Sequence, residues 1–153
     1  MKNLRGKTIL ITGAARGLGR ELAALLDEEG CHLILVDREP LRADSFPRAQ
    51  SFVCDLSQLE QRKKLIEDIK DKIDILINCA GIGSHSRLSQ LTVEEIERVM
   101  QVNALAPLEL IAGFSPLEMV VNIGSVAGEM SLPSMGLYAA SKSSLHAFTR
   151  AIS

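Results

Sequence analysis

Tyr138 and Lys142 stand four residues apart in the segment Tyr138-Ala139-Ala140-Ser141-Lys142. On a helix this spacing puts both on one face, where an ammonium lowers a phenol's pKa from its usual value of about 10. A phenol in that setting can take the proton of an alcohol or return it, and Ser125, just past an apolar run, can hydrogen-bond the same oxygen. Many helices contain such a pair by chance. A second cluster is Thr12-Gly13-Ala14-Ala15-Arg16-Gly17-Leu18-Gly19. Glycines after a strand let backbone approach a pyrophosphate, and the helix that follows points its positive end there. The spacing is G-x-x-x-G-x-G rather than the commoner G-x-G-x-x-G, and a plain tight connection would use similar residues. Asp37 closes the next apolar run, where a carboxylate can accept ribose hydroxyls or simply form a turn. Asn78-Cys79-Ala80-Gly81 ends a later run with small residues, which suits either close backbone passage beside a ligand or a turn.

These residues need strand ends and helix starts to hold them. Lys7 to Thr12, Leu33 to Val36, Ser51 to Cys54, Asp74 to Asn78 and Val120 to Ile123 read as short strands, apolar on both faces. Leu22, Leu25 and Leu26 recur at helical spacing up to Gly30, a helix terminator. Ser57 with Glu60, and Thr92 with Glu95, have the capping-box pattern before Leu65, Ile66 and Ile69 and before Ile96, Val99 and Met100. Pro40 and Pro47 argue against a long helix between the second and third strands. A last helix starts at Leu137. Alternating strands and helices predict a doubly wound α/β fold of Rossmann type, a parallel sheet between two helical layers, with its ligand beyond the carboxyl ends of the strands.

The 153 residues suit one domain, 1–153. Hydrophobic residues at 46% and charged residues at 24% suit a packed globular core. A formal net charge of -2, without a basic patch, argues against nucleic acid and anionic membranes as partners, and 3% aromatic residues argue against base stacking. The N-terminal apolar run is too short for a signal sequence or a membrane span, so a cytoplasmic protein is expected. Cys31, Cys54 and Cys79 read as buried reduced thiols, and no metal site is expected. His85 and His146 read as surface or capping residues without carboxylate partners at ligand spacing. Met100, Met119, Met130 and Met135 read as core and loop packing, and Arg62-Lys63-Lys64 as a solvated helix face.

In order along the chain, TGAARGLG, Asp37, Asp55, NCAG, Asn103, Ser125 and YAASK resemble the classical short-chain dehydrogenase/reductase family, from the first strand to the last residue. The resemblance implies that Tyr138 is the acid/base, that Ser125 holds the substrate oxygen and that Lys142 binds the nicotinamide ribose and depresses the Tyr138 pKa. It implies that Asn103 helps hold a proton-relay water. Gly13, Gly17 and Gly19 would line the pyrophosphate, Asp55 would meet the adenine, and Asn78 would steady the sheet beside the cofactor. Arg16, Leu18, Arg38, Leu56, Ala80 and Gly81 complete the implied cofactor contacts.

The implied activity is NAD(P)-dependent hydride transfer between a nicotinamide and a small alcohol or ketone, in a homo-oligomer, dimer or tetramer. Asp37 favours NAD by opposing a 2′-phosphate, while Arg16 and Arg38 keep NADP as the alternative. The segments from Asp37 to Asp55 and from Asn103 to Ser125 are shorter than is usual in the family, which suggests trimmed helices. The chain ends at Ser153, where members normally continue, so the fold is expected to be C-terminally incomplete. It is then a fragment of a longer dehydrogenase or a core reduced to its cofactor half, and a noncatalytic dinucleotide-binding or regulatory protein is the rival reading.

Overall fold

A computed structural model describes residues 4–41, 46–130 and 133–152. The five apolar runs form β1 (Thr8–Thr12), β2 (His32–Asp37), β3 (Gln50–Val53), β4 (Ile75–Asn78) and β5 (Met119–Asn122). They pair in parallel in the order β3-β2-β1-β4-β5. The order reverses between β1 and β4, so the connections leaving these two strands diverge and open a crevice at their carboxyl ends. β1, β2 and β4 are buried on both faces, as their continuous Ile, Leu and Val runs require, whereas the outer strands β3 and β5 are partly exposed.

Alternation along each strand divides the core. Ile9, Ile11, Leu33, Leu35, Ile75 and Ile77 face α1 (Gly17–Glu28) through Ala23, Leu22 and Leu26. Leu10, Ile34, Val36 and Leu76 face the opposite layer, where α2 (Leu59–Asp68) supplies Leu65 and α4 (Ala106–Phe114) supplies Leu110. The three-layer fold therefore follows from strands whose two faces are both apolar. α3 (Val93–Met100) runs through a π-helical turn, Gln101–Leu105, into α4. Pro107 near the start of α4 has no N–H for the Asn103 carbonyl four residues earlier, and a proline there disfavours regular α geometry. α5 (Gly136–Ala151) carries the Tyr138 segment. Among the described residues no helix is long and apolar enough to cross a membrane.

Three sequence expectations need correction here. α2 has no Ser57 cap: the Ser57 hydroxyl donates to Asp55 Oδ1 at 2.8 Å, so Gln58 is the cap residue and makes no side-chain cap bond. Arg62 is not solvated. It is 1% exposed, and its guanidinium donates to Glu109 on α4, to Gln101 in the π turn and to the Leu56 carbonyl, while Lys63 and Lys64 remain in water. Met119 and Met130 are exposed rather than packed. The Thr92 cap forms, accepting from the Glu95 amide, but the Glu95 carboxylate turns away to accept from the Ser84 and Ser86 hydroxyls. Glu95 thereby ties the segment after β4 to α3.

Candidate active site

A cleft of about 340 Å³ opens at the carboxyl ends of the strands. Its walls gather most of the residues singled out from the sequence: Gly13, Arg16, Leu18, Gly19, Asp37, Arg38, Asp55, Leu56, Ala80, Gly81, Tyr138 and Lys142. Gly17, Asn78, Asn103 and Ser125 lie outside its lining.

The glycine loop is built by close approach. Gly13 has φ +73°, and a Cβ there would stand 2.9 Å from the Ala80 backbone; one on Gly19 would collide with the Gly13 carbonyl. The Gly13 amide donates to the Val36 carbonyl at 2.8 Å, and Thr12 Oγ1 accepts from the amides of Cys79 and Ala80 at 3.1 Å each. The ends of β1, β2 and β4 are thus fastened to one another. The first turn of α1 has no side-chain cap and no acidic residue, so its N–H groups and positive dipole end are left for an anion.

Asp37 Oδ2 accepts from the Ala15 amide at 2.9 Å and Oδ1 from the Glu39 amide at 3.1 Å. Two hydrogen bonds leave this carboxylate capacity for hydroxyl donors. Arg16 and Arg38 lean toward Glu39 at 3.9 and 3.7 Å, and both are exposed enough to move. Burial opposes ionisation of Asp55. The Ser57 amide and hydroxyl, with Arg98 and Arg38 nearby, outweigh burial and hold the carboxyl below its ordinary value.

At the other end of the cleft, Tyr138 is half-buried and Lys142 is 4% exposed. The Lys142 ammonium donates to the Ile123 carbonyl at 2.7 Å, and burial lowers its pKa below the ordinary 10.5. Asn103 is fully buried: Oδ1 accepts from the Ile82 amide at 2.9 Å, and Nδ2 donates to the Ile82 carbonyl and to Ser141 Oγ. Ser141 in turn donates to the Tyr138 carbonyl at 2.7 Å. The Asn103 side chain therefore braces the Tyr138 helix against the segment after β4. Asn78 donates to Asn122 across β4 and β5, and its Oδ1 is buried without a partner among the described residues.

Sequence reading missed several residues. Cys54, Cys79, Arg98, Val102, Ile123 and Gly124 also line the cleft. Cys31 and Cys54 are buried as expected, but Cys79 is half-exposed. Burial pushes the Cys54 thiol up to about 11. His146 does have a carboxylate partner, Glu129 at 2.8 Å, and it touches the backbone of Ser125. A signal was available for His146, which lies four residues after Lys142 and so continues the Tyr138 face of the helix. None was available for Arg98, whose place depends on how α3 crosses the sheet.

A sequence profile described as short chain dehydrogenase matches residues 7–153. The ketoacyl reductase HetN of Nostoc is 34% identical, with 99% of this chain aligned to 59% of that protein. Galactitol 2-dehydrogenase of Agrobacterium fabrum is 31% identical, over 96% of this chain and 63% of its own length. Among solved structures, a 4-hydroxyisoleucine dehydrogenase complexed with NADH superimposes with a TM-score of 0.88 at 29% identity, covering 96% of this chain and 66% of that one. A metagenomic short-chain oxidoreductase in complex with NADP gives 0.91 at 28% identity, with 99% and 75% covered. The chain spans about three fifths of the length of the first curated relatives it matches. Since the profile match begins before β1 and runs through the Tyr138 helix, over the same five-stranded sheet, the chain belongs to the short-chain dehydrogenase family.

Proposed function

We propose that this chain binds a nicotinamide dinucleotide and takes part in hydride transfer between that cofactor and a small alcohol or ketone. One observation carries the reading: Tyr138 and Lys142 line the same cleft as Gly13, Gly19 and Asp37. The residues suit a dinucleotide, because an uncapped helix start, a loop closed by glycine contacts and a carboxylate with spare acceptor capacity occupy one wall. Gly13, Arg16, Gly17, Leu18 and Gly19 would hold the pyrophosphate side, Asp37 and Arg38 the adenosine ribose, and Asp55 and Leu56 the adenine. Asn78, Ala80, Gly81 and Lys142 would flank the nicotinamide half. NAD is the favoured cofactor and NADP the alternative.

A bound nicotinamide supplies the hydride acceptor or donor. Tyr138 takes the proton of the substrate hydroxyl in oxidation and returns one to the oxygen in reduction. Ser125 Oγ accepts from the Ala127 amide at 3.2 Å, which leaves its own hydrogen to donate to the substrate oxygen. Lys142, its ammonium held by the Ile123 carbonyl, would bind the nicotinamide ribose. Asn103 contributes through its carbonyl, to which Pro107 can donate nothing and where a relay water can bind. The protein works as a homo-oligomer, a dimer or tetramer, and exposed Val93, Ile96 and Leu105 supply apolar contact surface. Three unpaired thiols suit a reducing cytoplasm.

The test compares wild type with Tyr138→Phe in dinucleotide titration and in hydride transfer across alcohols and ketones. Turnover should fall about 100-fold or more while dinucleotide affinity changes little. Near-normal rates in Tyr138→Phe would remove the assigned acid/base. Tight dinucleotide binding with no turnover in either protein would favour the noncatalytic reading.

A further inference from the structure

We propose that His146 is a positioning residue: a neutral imidazole that holds the Ser125 loop in place through the Nε2 lone pair and is oriented by Glu129. The proposal deepens the reading of Ser125 above and rests on it for its catalytic consequence.

Hydrogen-bond chemistry fixes the ring state. The Ser125 amide points at His146 Nε2 at 3.2 Å, and an amide can only donate. Nε2 must therefore carry the lone pair and Nδ1 the hydrogen. Glu129 Oε1 lies 2.8 Å from Nδ1, and a carboxylate accepts, so this contact also places a hydrogen on Nδ1, while the Ser125 amide requires Nε2 to be free of one. Arg150 reaches the same carboxylate oxygen at 3.4 Å, and the hydrogen bond from His146 holds the Glu129 carboxyl below its ordinary pKa.

The backbone around the ring is shaped for it. A Cβ on Gly124 would run into Nε2, and one on Gly128 would stand 2.8 Å from Cε1, so the two glycines that flank Ser125 leave the space the imidazole fills. The same helix face grips the end of β5 at two further points. Asn122 donates to Thr149 Oγ1 at 2.9 Å, and Lys142 donates to the Ile123 carbonyl. His146 adds the contact nearest to Ser125, and Tyr138, Lys142 and His146 follow one another at four-residue spacing.

A second proton on the ring would bring N–H against N–H and break the link to Ser125 while strengthening the pair with Glu129. The charged groups that bear on this proton are Glu129 on the turn, and Lys142 and Arg150 on the helix itself. A second proton on the ring should therefore loosen the Ser125 loop.

Nitrogen NMR of the imidazole and hydrogen exchange of the Ser125 amide test the link in the 153-residue chain without reference to activity. The expected results are the Nδ1–H tautomer at neutral pH and a protected Ser125 amide whose protection falls as the ring gains its second proton. His146→Phe, which keeps ring bulk, should lose about tenfold in protection; His146→Gln, whose Oε1 can replace Nε2 as acceptor, should recover most of it and remove the pH step. An Nε2–H tautomer, or equal protection in His146→Phe, overturns the proposal. In hydride transfer, His146→Phe should lower kcat about tenfold with little change in dinucleotide KM; loss of protection with kcat intact refutes the positioning role. Ser125→Ala with full turnover would instead overturn the catalytic reading of Ser125 and leave the NMR link standing.

Discussion

Lys142 on α5 donates its ammonium to the carbonyl of Ile123 at the end of β5, 2.7 Å away, with only 4% of the lysine exposed. The bond locks the Tyr138 helix to the sheet and keeps a cation in a place where burial opposes it. Replacement by methionine relieves the buried charge and orphans the carbonyl, two effects of opposite sign. Lys142→Met should change unfolding free energy by no more than about 1 kcal/mol, yet weaken dinucleotide binding about tenfold or more. Urea unfolding and dinucleotide titration check both halves, and unaltered binding would remove Lys142 from the cofactor site.

On the proposed reading, cofactor choice should turn on Asp37 and Glu39. A carboxylate beside a 2′-phosphate costs about 4 kcal/mol per unit-charge pair at 4 Å and an effective dielectric of 20. Arg16 and Arg38 could offset this, but both lean toward Glu39. NADH should bind more tightly than NADPH in the wild type. Asp37→Ser should narrow the gap, and adding Glu39→Gln should narrow it further by freeing the arginines. Tighter NADPH binding by the unmodified protein would reverse the assignment.

Buried Arg62 joins the loop after β3 to α4 and the π turn through Leu56, Glu109 and Gln101. Its removal leaves the Glu109 carboxylate and two other acceptors without their donor. Arg62→Ala should lose about 3 kcal/mol, whereas Lys63→Ala and Lys64→Ala on the wet side should stay within about 0.5 kcal/mol. Similar denaturant midpoints for all three would mean that the buried cluster contributes little.

Cys54 gives a test in alkaline solution. Burial raises its thiol from 9.0 to about 11, with Asp55 adding to the rise. The unfolded chain loses this proton first, so the stabilisation is complete below about 9 and disappears as pH climbs through about 11. The loss should approach about 2 kcal/mol. Lys142 tilts the other way, because its folded pKa is lowered and stability gained from it grows as pH rises toward 10.5. The comparison is therefore wild type against Cys54→Ala in urea unfolding across pH 8 to 11, where the difference isolates the thiol. Parallel curves would show that Cys54 is not protected by the fold.

The strands, the glycine loop and the Tyr138 helix face were all legible in the sequence, because each depends on local chemistry. Continuous apolar runs must be covered on both faces, glycine takes the positive φ of +73° at Gly13 without strain, and a four-residue spacing is a helix face wherever the helix lies. The tertiary structure decided everything that depends on partners far along the chain. Arg62 is buried because Glu109, 47 residues on, meets it across two packed helices. His146 meets Glu129 and Ser125, 17 and 21 residues earlier, because α5 folds back on the end of β5. Ser57 is a local exception: its hydroxyl goes to Asp55, two residues before it, instead of capping α2. A charged or polar side chain has several possible partners in sequence, and only packing, which excludes water from some of them, selects among them.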